Sequence, residues 1–176
     1  IANMDAGNII SQQQYEIKIE ETLGIVHDNM VEVAKELLLK TLPKIINQTN
    51  QSLVQNEAEV IFSPNIKPEE EIIDWNKSGI EIYNQIRGLN PWPVAYSKVN
   101  DKRFKFYTTK YETSTNQTSG EILDITNEGI VIGVKGGILK VSEFQLEGKR
   151  KIHIKDFING NNSLKVGAIF EPEKPK

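Results

Sequence analysis

Two hydrophobic periods divide the chain, a helical one in its first third and a strand-like alternation in its second half. From residue 22 to about residue 42 apolar side chains recur three or four positions apart, which predicts an amphipathic helix with Thr22 as its N-cap. Pro43 should kink or end it. The predicted apolar stripe comprises Val26, Met30, Val33, Leu37 and Leu38. Upstream, residues 8–19 mix β-branched, Tyr and Gln residues in the manner of an edge strand.

Five short alternating segments fill most of the second half. Turn signals rich in Asn, Asp, Ser and Gly separate them, and such a series predicts a small OB-like β-barrel. A short helix is expected at 154–158 and a disordered tail at 171–176. The predicted fold class is therefore α+β. The five segments are 94–99, 103–113, 120–126, 129–134 and 137–145.

Between these regions the pattern weakens. Residues 51–68 lack an apolar period and contain two prolines, which predicts a linker lying on the surface as an extended strap. Ser78 is placed to cap a helix over 79–87. Gly88 could end that helix in the left-handed conformation. Trp75 and Trp92 could stack on bases, but both lie next to chain reversals, so packing is the expected role of each ring.

The net charge of −3 hides an uneven distribution. Residues 1–69 contain 5 Lys and 10 acids, whereas residues 87–166 contain 13 Lys and Arg and 8 acids. Only the second part could therefore meet phosphate. Strand alternation places Arg103 and Lys105 on one face. The candidate nucleic-acid contacts are Lys67, Arg87, Arg103, Lys105, Lys149, Arg150 and Lys151. The alternative is that these cations only keep a barrel soluble.

Several classes of function are disfavoured. No apolar run approaches the roughly 18 residues of a membrane helix, and no signal peptide is indicated. The absence of cysteine excludes disulfides and thiolate chemistry and fits a reducing compartment, with the cytoplasm expected. His27 and His153 lack partners at metal-ligand spacing, so no metal site is expected.

Four segments carry a resemblance to a known family. They are Ile86-Arg87-Gly88-Leu89-Asn90-Pro91-Trp92-Pro93, Ile73-Asp74-Trp75, Leu146-Glu147-Gly148-Lys149-Arg150-Lys151 and Met4-Asp5-Ala6-Gly7-Asn8-Ile9-Ile10. In this order and spacing they resemble the C-terminal part of the methionyl-tRNA formyltransferases. The segment at Met4 resembles the Asp-Thr/Ala-Gly loop of the folate-dependent formyltransferase domain, although Asn8 stands where Asp is frequent.

The resemblance covers nearly the whole chain and implies its organisation. Residues 1–50 would be the end of an α/β formyltransferase catalytic domain, a strand plus a helix. Residues 51–68 would be the linker, and residues 69–176 the OB-like C-terminal barrel. The implied reaction moves a formyl group from 10-formyltetrahydrofolate to the amino group of initiator methionyl-tRNA, in bacteria. The barrel would help to bind the tRNA, and the protein is expected to be a monomer.

The resemblance also implies site residues. Asp5 would be the catalytic carboxylate that orients an imidazole. Met4 and Asp5 would bind the folate cofactor, with the backbone of residues 1–4 flanking the pteridine ring. The Asn and His that accompany this Asp in the family have no counterpart here, so the chain alone is expected to be inactive. Without the resemblance, Asp5 is better interpreted as a turn residue.

Other functions stay open at this point. One is a formyltransferase acting on a nucleotide-linked amino sugar. Another is a non-catalytic RNA-binding module, and a third is a barrel that docks proteins.

Overall fold

The computed structural model describes residues 5–115, 117–160 and 164–171. Its helices are α1 (Leu23–Ile46), α2 (Gly79–Gly88) and α3 (Ile154–Ile158), with 3-10 turns at Glu57–Glu59 and Pro68–Glu71. All three predicted helices are confirmed. Contacts divide the chain into two compact units. One contains Ile1–Ile19 and Ile25–Asn65, and the other contains Glu20–Gly24 and Ile66–Lys176.

Among the described residues, eight strands form two antiparallel sheets. The first sheet has the order β1-β2-β7-β8 and the second sheet the order β3-β6-β5-β4. The mixed helix-and-sheet class is as predicted. The strands are β1 (Tyr96–Val99), β2 (Lys102–Phe106), β3 (Thr109–Thr113), β4 (Ile122–Thr126), β5 (Gly129–Val134), β6 (Gly137–Val141), β7 (Glu143–Leu146) and β8 (Ile152–His153).

Two of the five predicted strands are each divided between the sheets. The segment 103–113 breaks after Phe106, and the segment 137–145 breaks at Ser142. Backbone bonds span the two breaks, because Tyr107 donates to the Glu143 carbonyl at 3.1 Å and Ser142 donates to the Thr108 carbonyl at 2.9 Å. Strands that pass from one sheet to the next in this way turn the corners of small β folds. The alternation of side chains continues through such a corner, so the sequence pattern did not reveal it.

Aromatic rings fill the core of the second unit. Phe104 stacks on Phe144 with ring centroids 4.8 Å apart and contacts Phe106 at 4.7 Å. Phe170 closes the cluster and stacks on Trp75 at 5.4 Å. The three strand phenylalanines are fully buried. Each such ring contributes about 1.5–3 kcal/mol through burial alone, so this cluster holds the first sheet in place.

The C-terminal segment contacts both sheets through isolated bridges, Lys98 with Glu171 and Glu121 with Ile169. The predicted disordered tail was therefore wrong at Glu171, whose N–H and carbonyl both pair with Lys98 at 2.8–2.9 Å. Its backbone groups find ladder partners that a tail would leave to water. The rest of that predicted tail, 172–176, lies outside the described residues.

Helix α2 begins as expected but ends differently. Ser78 Oγ accepts from the Glu81 N–H, and Glu81 Oε2 accepts from the Ser78 N–H at 3.0 Å, which makes a capping box. Gly88 remains helical, and Leu89 forms the C-cap with φ −104°, so the predicted left-handed glycine was wrong. The Leu89 carbonyl is taken by the Val94 N–H at 2.9 Å. The Leu89 N–H donates to the Gln85 carbonyl at 3.1 Å and the Asn90 N–H to the Arg87 carbonyl at 3.4 Å, so these carbonyls of the last turn have partners without a left-handed cap.

The predicted strand at 8–19 was wrong. Throughout this described segment the backbone is irregular apart from one bridge, in which Ile9 and Leu53 exchange two bonds of 2.8 Å. A strand exists only where a partner satisfies its backbone, and here that partner is a single residue of the predicted linker. Apart from the 3-10 turns at Glu57–Glu59 and Pro68–Glu71, the linker lies in neither helix nor strand, and Ile61 is 91% exposed.

Helix α1 runs through Pro43 to Ile46, one turn beyond the proline. The predicted apolar stripe is only partly covered, because Val26 is buried while Met30 and Leu38 are 52% and 59% exposed.

Candidate nucleic-acid interface and the Asp5 turn

Cations collect on the outer face of the first sheet. Lys98 lies directly opposite Arg103 across β1 and β2, and Lys105 lies opposite Gln145 across β2 and β7. Directly paired residues share a face. Phe104 alternates to the buried face, so its neighbours Arg103 and Lys105 point outward as predicted. We call Lys98, Arg103, Lys105 and Gln145 the basic face.

The side chain of Arg103 lies over an aromatic ring. Its guanidinium carbon lies 4.1 Å from the centroid of the Tyr96 ring. A cation over an aromatic face keeps its charge while its orientation is restricted. The Arg103 backbone N–H donates to Glu147 Oε2 at 2.9 Å, which ties β2 to the turn after β7. The basic face therefore presents an oriented guanidinium.

The loop 149–151, which we call the basic loop, is held next to the basic face by two side-chain hydrogen bonds. Gln145 Nε2 donates to the Lys149 carbonyl at 2.8 Å, and Tyr107 Oη donates to Gln145 Oε1 at 3.1 Å. Lys151 Nζ lies 5.3 Å from the centroid of the Tyr107 ring. Gly148 adopts the left-handed conformation, with φ 72°, at the turn that leads into the basic loop. The predicted loop cluster thus lies beside the predicted strand cations.

Glu143 limits the positive charge at one edge. Its Oε2 accepts from Thr108 Oγ1 at 2.5 Å and lies 3.5 Å from Lys151 Nζ. The hydrogen bond from Thr108, and after it the charge of Lys151, hold the pKa of Glu143 below its ordinary value, against the opposing effect of partial burial. The carboxylate therefore stays ionised and competes with any phosphate for Lys151.

Two predicted contacts lie elsewhere. Arg87 donates from Nη1 to the Glu21 carbonyl at 3.1 Å and from Nε to Asn84 Oδ1 at 2.8 Å, so its guanidinium braces the segment before α1. Lys67 precedes the Pro68–Glu71 turn, and its N–H donates to Glu70 Oε2 at 2.7 Å. Neither residue belongs to the strands of the basic face. Their contact with nucleic acid stays a prediction.

Asp5 occupies a left-handed turn, with φ 62°, and is exposed. Asp is among the few residues that adopt this conformation readily. Gln55 Nε2 donates to the Asp5 carbonyl at 2.8 Å and to the Gly7 carbonyl at 2.6 Å, so a residue of the predicted linker holds the turn. Met4 lies outside the described residues. The catalytic role of Asp5 stays a prediction.

Sequence reasoning missed three residues of the interface. Lys98 is the first, and its position two residues after Tyr96 in an alternating strand was the signal for it. Tyr107 and Gln145 support the basic loop, and no local pattern pointed to them because the hydrogen bond between these two residues spans 38 positions of sequence.

Neither histidine shows a metal environment. His27 Nδ1 lies 3.1 Å from Asp28 Oδ1 with the ring largely exposed, and His153 caps α3. In the described ranges, three or more His, Asp or Glu side chains nowhere gather as a metal site would require. None of the helices the structure describes has the length and apolar character needed to cross a membrane.

Comparisons with known proteins identify the family to which this chain belongs. Residues 65–162, more than half of the chain, match the family model described as formyl transferase, C-terminal domain. The methionyl-tRNA formyltransferase of Streptococcus thermophilus is 40% identical over 171 residues, covering 97% of this chain and 55% of that protein. That of Lactococcus lactis is 42% identical over 173 residues, covering 97% and 54%. The chain spans about half the length of the curated relatives it matches.

Solved structures share the fold. HypX from Aquifex aeolicus in complex with tetrahydrofolic acid superposes with a TM-score of 0.71 at 18% identity, over 89% of this chain and 28% of that one. The N-formyltransferase from Helicobacter canadensis, in complex with folinic acid and dTDP-3-aminofucose, gives a TM-score of 0.59 at 24% identity, over 79% and 51%. The chain therefore belongs to the formyl transferase family and carries that family's C-terminal domain at residues 65–162.

Proposed function

We propose that this chain is the C-terminal part of an enzyme that transfers the formyl group of 10-formyltetrahydrofolate to the amino group of initiator methionyl-tRNA. Residues 1–50 would complete the catalytic domain, 51–68 would link the domains, and 69–176 would form an OB-like closed barrel. The proposal is supported by identity of about 40% to named methionyl-tRNA formyltransferases along 97% of the chain.

The observation that carries the tRNA part of the proposal is the basic face. Three cations share the outer side of the first sheet, and the basic loop adds three more beside them. Contacts of Lys and Arg with phosphate position a nucleic-acid backbone without reading its sequence. On a duplex such as an acceptor stem, each neutralised phosphate contributes a slope of about −0.9 to the salt dependence, taking the DNA value. The barrel would thus hold the tRNA while its aminoacyl end reaches the catalytic domain.

The chemistry proposed for Asp5 is that of a positioning carboxylate. The amine nitrogen of methionine attacks the formyl carbon, the bond from that carbon to N10 of the folate breaks, and one proton passes in net from the amine to N10. An oxyanion forms on the way and must be stabilised by donors. A carboxylate beside an imidazole orients the ring and favours its charged form. Asp5, presented on its Gln55-held turn, would supply that carboxylate to a His outside this chain.

The test is an assay of the full-length protein with two acceptors, methionyl-tRNA and a nucleotide-linked amino sugar, with 10-formyltetrahydrofolate as donor. We expect formylation of the first. Asp5→Asn should lower kcat by at least about a hundredfold, the scale of general acid–base contributions, while tRNA affinity stays constant. Turnover of the amino sugar alone would make this a sugar formyltransferase. If neither acceptor is formylated, the remaining functions are a non-catalytic RNA-binding module and a protein-docking barrel.

Three smaller parts belong to the same proposal. The 176-residue chain by itself should be inactive, the protein should be a monomer, and it should work in the bacterial cytoplasm. Size-exclusion chromatography and the same assay performed on the isolated chain test the first two.

A further inference from the structure

The two tryptophans lie in opposite environments. Trp75 is 6% exposed, and its Nε1 donates to Ser97 Oγ at 2.9 Å. Trp92 is 76% exposed. The expectation that both rings pack is confirmed for Trp75 and wrong for Trp92. An indole is among the largest apolar groups a fold can bury, so a ring left in water contributes little to stability.

The backbone before Trp92 is fixed by two neighbouring segments. Asn90 Nδ2 donates to the Tyr107 carbonyl at 3.1 Å, and the Asn90 carbonyl accepts from the Gly24 N–H at 3.0 Å. A side chain at Gly24 would meet Pro91 Cδ at 2.8 Å, so the two segments also pack closely. The ring is therefore displayed from an anchored loop.

The backbone after Trp92 is constrained as well. Val94 adopts φ 82°, a conformation that β-branched residues rarely take, and its side chain is 3% exposed. Such strain persists where the surrounding structure enforces it, and it is common at binding sites. A ring on a fixed backbone loses little conformational freedom when a partner covers it, which strengthens binding.

Tyr107 links this loop to the basic loop. Its carbonyl holds Asn90, its ring lies under Lys151 Nζ at 5.3 Å, and its hydroxyl donates to Gln145, which in turn holds Lys149. An exposed aromatic ring on a loop that shares a supporting residue with anchored cations has the elements that bind unpaired nucleotides, because bases stack on the ring while cations meet the phosphates. A protein partner is less well matched, because the cores of protein interfaces are depleted of charged residues.

We propose that Trp92 is a base-stacking residue, which takes an unpaired nucleobase of the RNA whose phosphates the basic loop binds. The inference rests on the proposed function and extends it, because phosphate contacts alone hold a duplex at any sequence. Stacking of one base on an aromatic ring is worth about tenfold in affinity.

The experiment uses full-length protein and initiator tRNA as the probe. Trp92→Leu keeps an apolar side chain but removes the ring system, and Trp92→Tyr keeps a ring. We expect Trp92→Leu to weaken binding about tenfold and Trp92→Tyr to retain most of the affinity. Thermal melting should be unchanged in both, since the ring makes little contact with the fold.

Fluorescence supplies the second measurement. The difference between the emission of wild type and Trp92→Tyr isolates the signal of residue 92. In free protein this signal should have the wavelength of exposed tryptophan and be quenched by iodide. On addition of tRNA it should be quenched by stacking and protected from iodide.

Each contrary result has one meaning. If wild type binds no tRNA, the proposed function fails and this inference fails with it. If wild type and Trp92→Leu bind alike, the tRNA function stands and the stacking role is overturned. If the signal of residue 92 is already blue-shifted and protected in free protein, another part of the protein covers the ring and the inference is overturned.

Discussion

The outer faces of the two sheets differ in charge although their inner faces are alike. The strands of the first sheet carry four Lys or Arg and one acid, whereas those of the second carry two of each. On the inner faces, Phe104 of the first sheet and Ile132 of the second are fully buried. The requirements of the core therefore leave the outer face free to vary, and only the first sheet concentrates positive charge there.

The sheets also differ in how they hold their cations. On the second sheet, Lys140 Nζ lies 2.9 Å from Glu112 Oε1. That hydrogen bond is the main cause that raises the pKa of Lys140; desolvation opposes it, and the charges of Glu112 and Glu128 add to the rise. On the first sheet, the guanidinium of Arg103 lies over the ring of Tyr96. An acid offsets the charge of a neighbouring cation, whereas a ring orients the cation without changing its charge.

The largest expected effect comes from a substitution in the aromatic cluster that supports the first sheet. Phe104→Ala should lower the free energy of unfolding by about 3–5 kcal/mol, because a fully buried ring that contacts three other phenylalanines is lost. Ile132→Val, a small truncation inside the second sheet, should cost about 1 kcal/mol. Chemical denaturation of both variants measures this. Equal losses of unfolding free energy in the two variants would show that the aromatic cluster is not the main support of the first sheet.

The next effect concerns the positive charge of the basic loop, which lies beside the first sheet. Changing Lys149, Arg150 and Lys151 to Ala should weaken tRNA binding at least about tenfold and reduce the slope of log affinity against log salt by about 2–3. The matched control, Lys110→Ala with Lys140→Ala on the second sheet, should leave both quantities unchanged. Filter binding at two salt concentrations provides the measurement. A loss of the same size in the control would remove the distinction between the sheets.

A smaller effect should run in the opposite direction. Glu143→Gln removes the carboxylate 3.5 Å from Lys151 Nζ, so this cation becomes free to meet phosphate. We expect tRNA affinity to rise about threefold at low salt, the size of a partly exposed ion pair. Glu112→Gln, which frees Lys140 on the second sheet, is the control and should have no effect. Unchanged affinity in Glu143→Gln would place Lys151 outside the interface.

The smallest effect is a pH dependence of stability. Since the pKa of Glu143 is lower in the folded protein than the ordinary value of 4.5, its contribution is present above that value. The contribution is lost as pH falls through the lower, folded pKa. Wild type should therefore lose slightly more stability than Glu143→Gln between pH 6 and pH 3, by less than about 1 kcal/mol. Unfolding curves at both pH values provide the comparison, and parallel losses would contradict it.

Local features of this protein followed from its sequence. The capping box of α2 needs only Ser78 and Glu81, and α3 has its predicted bounds because each helix is specified within a few residues. The outward direction of Arg103 and Lys105 followed from alternation with Phe104, a property of any strand. The turn at Asp5 was expected for the same kind of reason, since Asp readily adopts positive φ.

Other features needed the tertiary structure. The corners at residues 107–108 and 142 leave the alternation unbroken, so each of two predicted strands is divided between the two sheets. The segment 8–19 has the pattern of a strand, but among the described residues it forms one backbone bridge, to Leu53. Trp92 and Trp75 both lie beside chain reversals, yet only one ring reaches the core.

The sequence by itself determined the helices, the capping box at the start of α2, the alternation within strands and the excess of positive charge in the second half. The helices, this cap and the alternation each depend on neighbours within one or two turns of chain. Tertiary structure alone decided that β2 pairs with β7 and that Tyr107 supports the basic loop. It also decided that Trp92 stays in water. Pairing between strands some forty residues apart is chosen by the burial of all inner faces at once, and no local pattern contains that information.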